Sequence, residues 1–407
     1  LTIRQWQVLG LVALAALFGA YDGALLPLAL PQIQSEFALP ETVVSQWLAI
    51  IRLGAVPAFL LALGADGVGR RRLFLGSLLL FSCLTAATAF APTATLFALC
   101  QFLLRTFTAA TGLLAGVIIV EEFPKEARGW GIGAYTALAS VGGGLAAMTF
   151  ALVEVLPFGW RTLFFSGALA LLASSLIARH LPETTRFQHQ QRRHVQWSTI
   201  QRLADPLRQL VSAYPGRFLL LVVVICLYNL GGDAALFYDP AYLQQAHGWL
   251  PWQVSLLNLS AGFMAFIGSA AAGTWSDRLG RRRVTALFLG GLPLTILTYY
   301  HVAGWLLPFA WAVMLFIGIG AAVALNTLAT ELFPTSYRST ASGAIAVIAT
   351  ISGALSLMLH GWLLPLIGSP WRTAGLLALV ILATPLLVLW LPETAGRTLE
   401  EIAPERD

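Results

Sequence analysis

The sequence predicts an all-α integral membrane protein: twelve transmembrane helices in two pseudo-symmetric six-helix bundles. Three observations lead there. The 407 residues are 58% hydrophobic and 11% charged, where a soluble protein carries roughly 25% charged residues, so the chain cannot coat itself for water. Its apolar runs are about 20 residues long, enough to cross the hydrocarbon as helices, and they lack the period-2 alternation of a transmembrane barrel. Charged landmarks of the first half return in the second half at an offset of 210 or 211 residues.

The spans fall near 7–29, 43–64, 72–91, 96–120, 130–153 and 160–181, then 217–239, 252–274, 283–301, 306–330, 340–362 and 371–391. The first reads as a span rather than a cleaved signal peptide, because many others follow it. Pro40, Pro92, Pro157, Gly159, Pro251, Pro308 and Pro370 punctuate the turns. The predicted organisation is a first bundle over 1–181, a polar linker over 182–216, a second bundle over 217–391 and a tail over 392–407.

Orientation follows from the arginines. Of 24 lysines and arginines, Arg52 and Arg105 lie within spans, Arg161 and Arg372 lie in one set of loops, and the other 20 crowd onto the opposite side. The positive-inside rule makes that side the cytoplasm, with both termini and the linker on it, in a cell membrane, inner or plasma. The net charge of +5 is thereby explained without nucleic acid as a partner. The basic linker (Arg192, Arg193, Arg202, Arg208) reads as a solvated connector with a surface helix, in contact with membrane lipid. Cys83, Cys100 and Cys226 have no CxxC spacing, so neither a disulfide framework nor a metal site is expected.

The repeat has four landmarks in one order. LPET at 181–184 recurs at 391–394; Glu121 and Arg128 answer to Glu331 and Arg338; Arg161 answers to Arg372; and LGADGVGRRRLF at 63–74 answers to GTWSDRLGRRRV at 273–284. Chance likeness among apolar segments would not keep charged positions in step, so a six-span unit has been duplicated. Parallel halves related by an axis along the membrane normal are a transporter architecture, with substrate bound between them.

GTWSDRLGRRR between the second and third spans of a half resembles the signature of the major facilitator superfamily. The first copy departs from it at Ala62 and Gly67. The E-x6-R pairs and the PET endings resemble the sugar-porter, organic-ion and metabolite–proton symporter branches. This resemblance covers the whole chain and implies the major facilitator fold, alternating access, and action as a monomer. It also implies that Asp66, Glu121 and Arg128 in one half, and Asp277, Arg281, Glu331 and Arg338 in the other, form a cytoplasmic latch. Such pairs would form on closure and break on opening.

Four ionisable groups fall well inside spans, away from their ends: Asp22, Arg52, Arg105 and Asp233. Each costs roughly 2.5–3.5 kcal/mol at mid-membrane, so each needs a partner or a watery cavity. At 1.5 Å per residue, Asp22 lies about 10 Å below the outer end of its span, and Arg52 and Arg105 about 14 Å below theirs. Asp233 is the repeat partner of Asp22. The facilitator resemblance places the first, fourth, seventh and tenth spans around the central cavity. An aspartate out of bulk water can load and release a proton, and a nearby arginine favours its charged form. Asp22 and Asp233 are therefore the expected proton-coupling residues, and Arg105 and Arg52 the expected anion-binding residues.

Tyr21, Tyr228, Asn229, Phe237, Tyr238, Asn258, Phe263, Phe266 and Asn326 are the expected lining. Asn258 and Asn326 stand out, because a lone amide in an apolar span hydrogen-bonds to something. The glycines of ASVGGGLAAM (139–148) are expected to permit close helix packing.

The leading reading is a proton-coupled importer of a small organic anion, a carboxylate, with no cofactor beyond the coupling proton. An exporter of drug-like or cationic compounds is the runner-up, then sugar uptake, which the scarcity of Gln and Asn in the spans disfavours. A non-transporting membrane sensor is a different class, disfavoured by the short ends LTIRQWQ and EEIAPERD. No catalytic triad, metal cluster or phosphate-binding glycine loop points to an enzyme.

Overall fold

The computed structural model describes residues 2–183, 201–334, 337–397 and 399–402; within these the side chain of Asp66 is not described. The described regular structure is helical throughout. Six helices carry the first half: α1 (Ile3–Leu28), α2 (Glu41–Leu53 and Ala55–Val68), α3 (Arg70–Ala89), α4 (Ala94–Glu122), α5 (Arg128–Phe150) and α6 (Trp160–Gly167 and Ala170–His180). Six more follow: α7 (Pro215–Gln245), α8 (Pro251–Leu279), α9 (Arg281–Tyr299), α10 (Leu307–Glu331), α11 (Arg338–Ile367) and α12 (Pro370–Val388, with a 3-10 stretch at Leu379–Ala383). Eleven of these are apolar and long enough to cross a membrane; α9, opened by three arginines, is the twelfth.

By contacts the chain forms two compact units. The first is built on the first six spans and adds Leu243–Leu259; the second is built on the last six and adds Pro40–Ala49. Hydrogen bonds accompany both additions. In the first unit, Gln244 donates to the Leu28 carbonyl at 3.0 Å and accepts from Gln32 at 2.7 Å, while Gln245 donates to Gln34 at 3.3 Å. In the second, the Ser45 hydroxyl meets Tyr238 Oη at 2.7 Å and His360 Nδ1 at 3.0 Å.

The first unit's core is apolar side chains from α1, α3, α4 and α6, among them Val12, Phe74, Phe81, Leu114 and Ile177, all essentially without exposure. The expected role of the α5 glycines is met at Gly142, where a Cβ would lie 2.0 Å from the Leu17 carbonyl oxygen. Only a hydrogen there lets α5 lie against α1. Gly54 does the same for α2: a Cβ would sit 2.3 Å from Phe102 O and 3.2 Å from Arg105 Cβ. Thr106 Oγ1 donates to the Gly54 carbonyl at 2.6 Å, satisfying a backbone group exposed by the break in α2. The sequence signal for this break is the glycine itself.

The two sequence copies of the arginine turn fold alike. Gly69 (φ 108°) and Gly280 (φ 102°) precede α3 and α9 in a conformation L side chains rarely adopt. The PET glutamate then caps the helix start. Glu183 accepts from Arg71 N at 3.0 Å, and Glu393 accepts from Arg281 N at 2.7 Å and Arg282 N at 3.3 Å. A carboxylate there satisfies orphan N–H groups and faces the positive end of the helix dipole.

Candidate functional site

Asp22 is on α1 and is 2% exposed. Its Oδ1 is buried with no hydrogen-bond partner. Two groups on neighbouring helices act on it: the Thr85 hydroxyl of α3 and the charge of Arg105 on α4. Thr85 already donates to the Phe81 carbonyl at 3.0 Å. The Arg105 guanidinium lies over Gly23, where a Cβ would be 3.7 Å from Nη1. The sequence thus brings acid and arginine together for a simple reason: Gly19 and Gly23 leave the face of α1 bare, and α4 runs antiparallel along it.

Arg52 lies in the last turn of the first part of α2, two residues before the Gly54 contact with Phe102 and Arg105. It is half-buried. Asp22, Arg52 and Arg105 therefore all attach to the packing between α1, α2 and α4 within the first unit. Asp233 is half-buried on α7, where its charge acts on Tyr228 of the same helix. Phe237 lies beside Tyr238, with ring centroids 6.2 Å apart.

Several expected lining residues are used otherwise. Tyr21 is buried, and its hydroxyl contacts Ser166 Oγ at 2.7 Å, Thr149 Oγ1 at 3.1 Å and the Leu163 carbonyl at 3.3 Å. It ties α1 to α5 and α6 inside the bundle and is a packing residue, because its hydroxyl finds those partners in the protein. Tyr238 is likewise occupied, stacked on His360 at 4.5 Å and bonded to Ser45. The amides of Asn229 and Asn258 donate to their own helices, at Ile225 and Val254, rather than across to another. Asn326, Phe263 and Phe266 are exposed.

Two buried polar centres escaped the sequence reading. Asp239 near the end of α7 accepts from the Tyr299 hydroxyl and from Trp311 Nε1, the latter at 2.9 Å. His360 on α11 sits between Ser45 and the Pro370 carbonyl, 3.0 Å from each. Both lie close to the ends of the sequence-assigned spans, where a polar residue draws no attention. The signal available was an acid and a histidine inside apolar runs, YDPAYL and LMLHGWLL.

At the arginine-rich end, Arg281 links Asp277 (2.6 Å) to Glu331 (3.3 Å), and Thr394 Oγ1 donates to Glu331 at 2.6 Å. In the first half the corresponding arginine is Arg70, which the sequence reading passed over. It pairs with Glu121 at 3.2 Å, both side chains nearly buried. Asp66, expected in this network, has its side chain outside the described residues. Arg128 donates to the Phe123 carbonyl rather than to an acid. Arg338 does not pair with Glu331: its Nε and one terminal nitrogen are buried without a hydrogen-bond partner. The turn arginine competes better, because it starts a helix that lies directly against the glutamate. Arg338 instead lines, with Arg281, Glu331 and Arg397, a cavity of about 450 Å³. Among the described residues no cluster of His, Cys, Asp or Glu is placed to hold a metal ion.

Comparison with known proteins agrees with this architecture. A profile of the Major Facilitator Superfamily matches residues 12–357. The chain is 24% identical to a putative niacin/nicotinamide transporter of Bacillus subtilis (strain 168), over 89% of each protein. It is 25% identical to the benzoate transport protein of Acinetobacter baylyi (strain ATCC 33305 / BD413 / ADP1), over 90% of this chain and 85% of that one. Among solved structures, a D-xylose-proton symporter superposes with a TM-score of 0.79 at 16% identity, over 97% of this chain and 99% of that one.

Proposed function

We propose that this chain, which belongs to the major facilitator superfamily, takes up a small organic carboxylate together with a proton. The observation that carries the reading is a buried acid on α1, Asp22, with the charge of Arg105 on α4 acting on it. The substrate class also draws support from relatives described as carriers of niacin and of benzoate.

The mechanism follows from charge balance. With the site empty, the positive charge of Arg105 acts on Asp22. A guanidinium presents a planar fork that receives a carboxylate through two parallel hydrogen bonds. When substrate engages that fork, Arg105 no longer serves Asp22 alone. An uncompensated carboxylate in a desolvated site favours its protonated form. The proton loads as the anion binds, and the loaded site carries no more charge than the empty one. That is the condition for crossing the membrane's low-dielectric interior without a large electrostatic barrier. Asp233 of α7 is the second acid available to the cycle, and Arg52 the second cation. The arginine-rich end faces the cytoplasm, and the Arg281 and Arg70 networks hold it when closed.

The test is Arg105→Lys, with binding of benzoate and nicotinate to purified protein measured by calorimetry. Lysine keeps the charge but not the fork, so affinity should fall at least tenfold, and Arg105→Ala should abolish binding. A cation exporter would use the arginine only to tune the acid and would tolerate lysine. Equal carboxylate affinity in wild type and Arg105→Lys defeats the reading.

A further inference from the structure

We propose that the cavity at the arginine-rich end of the second unit binds a phosphate group, with Arg338 and Arg397 as its charge partners. This site is separate from Asp22 and Arg105 and does not depend on which substrate is transported. The cavity holds about 450 Å³, a size typical of small-ligand sites, so it takes a small phosphate ester as readily as the bare ion. Its wall brings together distant pieces of sequence: Arg281 at the start of α9, Glu331 at the end of α10, Arg338 at the start of α11, and the turn from Thr394 to Arg397 after α12.

Charge identifies the ligand as an anion. The wall carries three arginines, Arg281, Arg338 and Arg397, against one carboxylate, Glu331. That carboxylate is already engaged: Arg281 pairs with it at 3.3 Å, and Thr394 Oγ1 donates to it at 2.6 Å. Asp277 meets Arg281 at 2.6 Å from an exposed position off the wall. Glu393 is also off the wall, and its Oε1 accepts from the backbone N–H groups of Arg281, Arg282, Thr394 and Ala395. Glu401 is exposed and does not line the cavity either. Among the described residues no acid pairs with Arg338 or Arg397. A further positive charge stands at the edge, where Arg217 of α7 donates to the Ile402 carbonyl at 2.7 Å.

Arg338 creates the demand for a ligand. Its side chain is partly exposed and lines the cavity, while its Nε and one terminal nitrogen are covered by protein without an acceptor. Such a guanidinium is an uncompensated cation, which is costly. An anion in the cavity compensates it by charge, and this needs no contact with the covered nitrogens. The first half makes no such demand. There Arg128 donates to the Phe123 carbonyl at 3.3 Å, and Arg70 pairs with Glu121 at 3.2 Å. Phosphate suits two arginines that lack an acid better than a carboxylate does. A phosphate ester carries a charge of about −1.5 to −2 near neutral pH and has three strong acceptor oxygens. Guanidinium forks receive it through paired hydrogen bonds. Once bound, it ties the segment after α12 to the start of α11.

The phosphate group comes either from solution or from a lipid headgroup, and the experiment separates the two. The purified full chain in phosphatidylcholine nanodiscs is titrated by calorimetry with inorganic phosphate and with glycerol 3-phosphate, against potassium chloride at matched ionic strength. A second set of nanodiscs contains phosphatidate, and there the melting temperature is read without added phosphate. Wild type should bind in at least one arm, seen as a saturating heat or a raised melting temperature; the arm that responds names the source. Arg338→Gln should weaken that binding at least tenfold and Arg397→Gln severalfold. Arg208→Gln, at an exposed arginine off the wall, should leave it within twofold. In phosphatidylcholine alone, Arg338→Gln should melt no lower than wild type, because it removes an uncompensated cation. A lower melting temperature would mean that the protein itself compensates the arginine, and the proposal falls. It falls equally if phosphate and phosphatidate act no differently from chloride and phosphatidylcholine, or if Arg208→Gln loses as much binding as Arg338→Gln. Should Arg338→Gln fail to fold, the exposed Arg397→Gln set against Arg208→Gln decides.

Discussion

Two buried aspartates show how residue-level chemistry separates roles that composition cannot. Asp239 has a donor on each oxygen, Tyr299 and Trp311; it is an anchor between α7, α9 and α10. Asp22 keeps one oxygen without a hydrogen bond and has a cation nearby on another helix. An acid that must gain and lose a proton needs such slack, and an acid that holds helices together does not. On the proposed proton-coupled uptake, Asp22→Asn should abolish carboxylate accumulation driven by an imposed pH gradient in proteoliposomes, while exchange of labelled for unlabelled substrate persists. Full accumulation by the variant would remove Asp22 from the coupling step.

At the scale of an element, the start of α9 depends on two distant pieces of sequence. Gly280 turns the chain with positive φ, and Glu393, over a hundred residues later, caps the helix that follows. A Cβ at Gly280 would also lie 2.6 Å from Glu393 Oε2. Gly280→Ala should thus cost about 1–3 kcal/mol, combining backbone strain with displacement of the cap. Because both variants damage the same cap, Gly280→Ala and Glu393→Ala combined should cost clearly less than the sum of the two. Thermal melting of the four proteins checks this. Strict additivity would mean that cap and turn act independently.

Across the whole molecule, duplication left two copies of one charge network that have diverged in burial. Arg70 and Glu121 are 5% and 7% exposed, whereas Arg281, Glu331 and Asp277 are 19%, 23% and 65% exposed. Removing one partner of a buried pair leaves an uncompensated charge and costs on the order of 3 kcal/mol; an exposed pair is worth about 1 kcal/mol or less. Glu121→Gln should lower the melting temperature markedly. Asp277→Asn should leave it nearly unchanged and instead shift the distance distribution between spin labels on the arginine-rich ends of α4 and α10 toward longer separations. An unchanged distribution would make the Asp277 turn a topology signal alone, and equal melting temperatures would contradict the burial argument.

The sequence by itself determined the class, the number of spans, the duplication and the charged candidates. These depend on quantities that are local or additive: apolar length against membrane thickness, charge density, and a fixed offset between landmarks. It identified Asp22 and Arg105 because a charge in an apolar run is conspicuous wherever the helix points. Only the tertiary structure decided which face each residue presents and what meets it there. Tyr21 faces into the bundle and is consumed by packing; Glu121 pairs with Arg70 rather than Arg128; the PET glutamates cap helices more than 100 residues away; and Gly19 and Gly23 of α1 let Thr108 and Arg105 of α4 approach it. Such choices depend on the rotation and crossing of helices. Those are set by close packing among many side chains at once, and no periodicity in a uniformly apolar run encodes them.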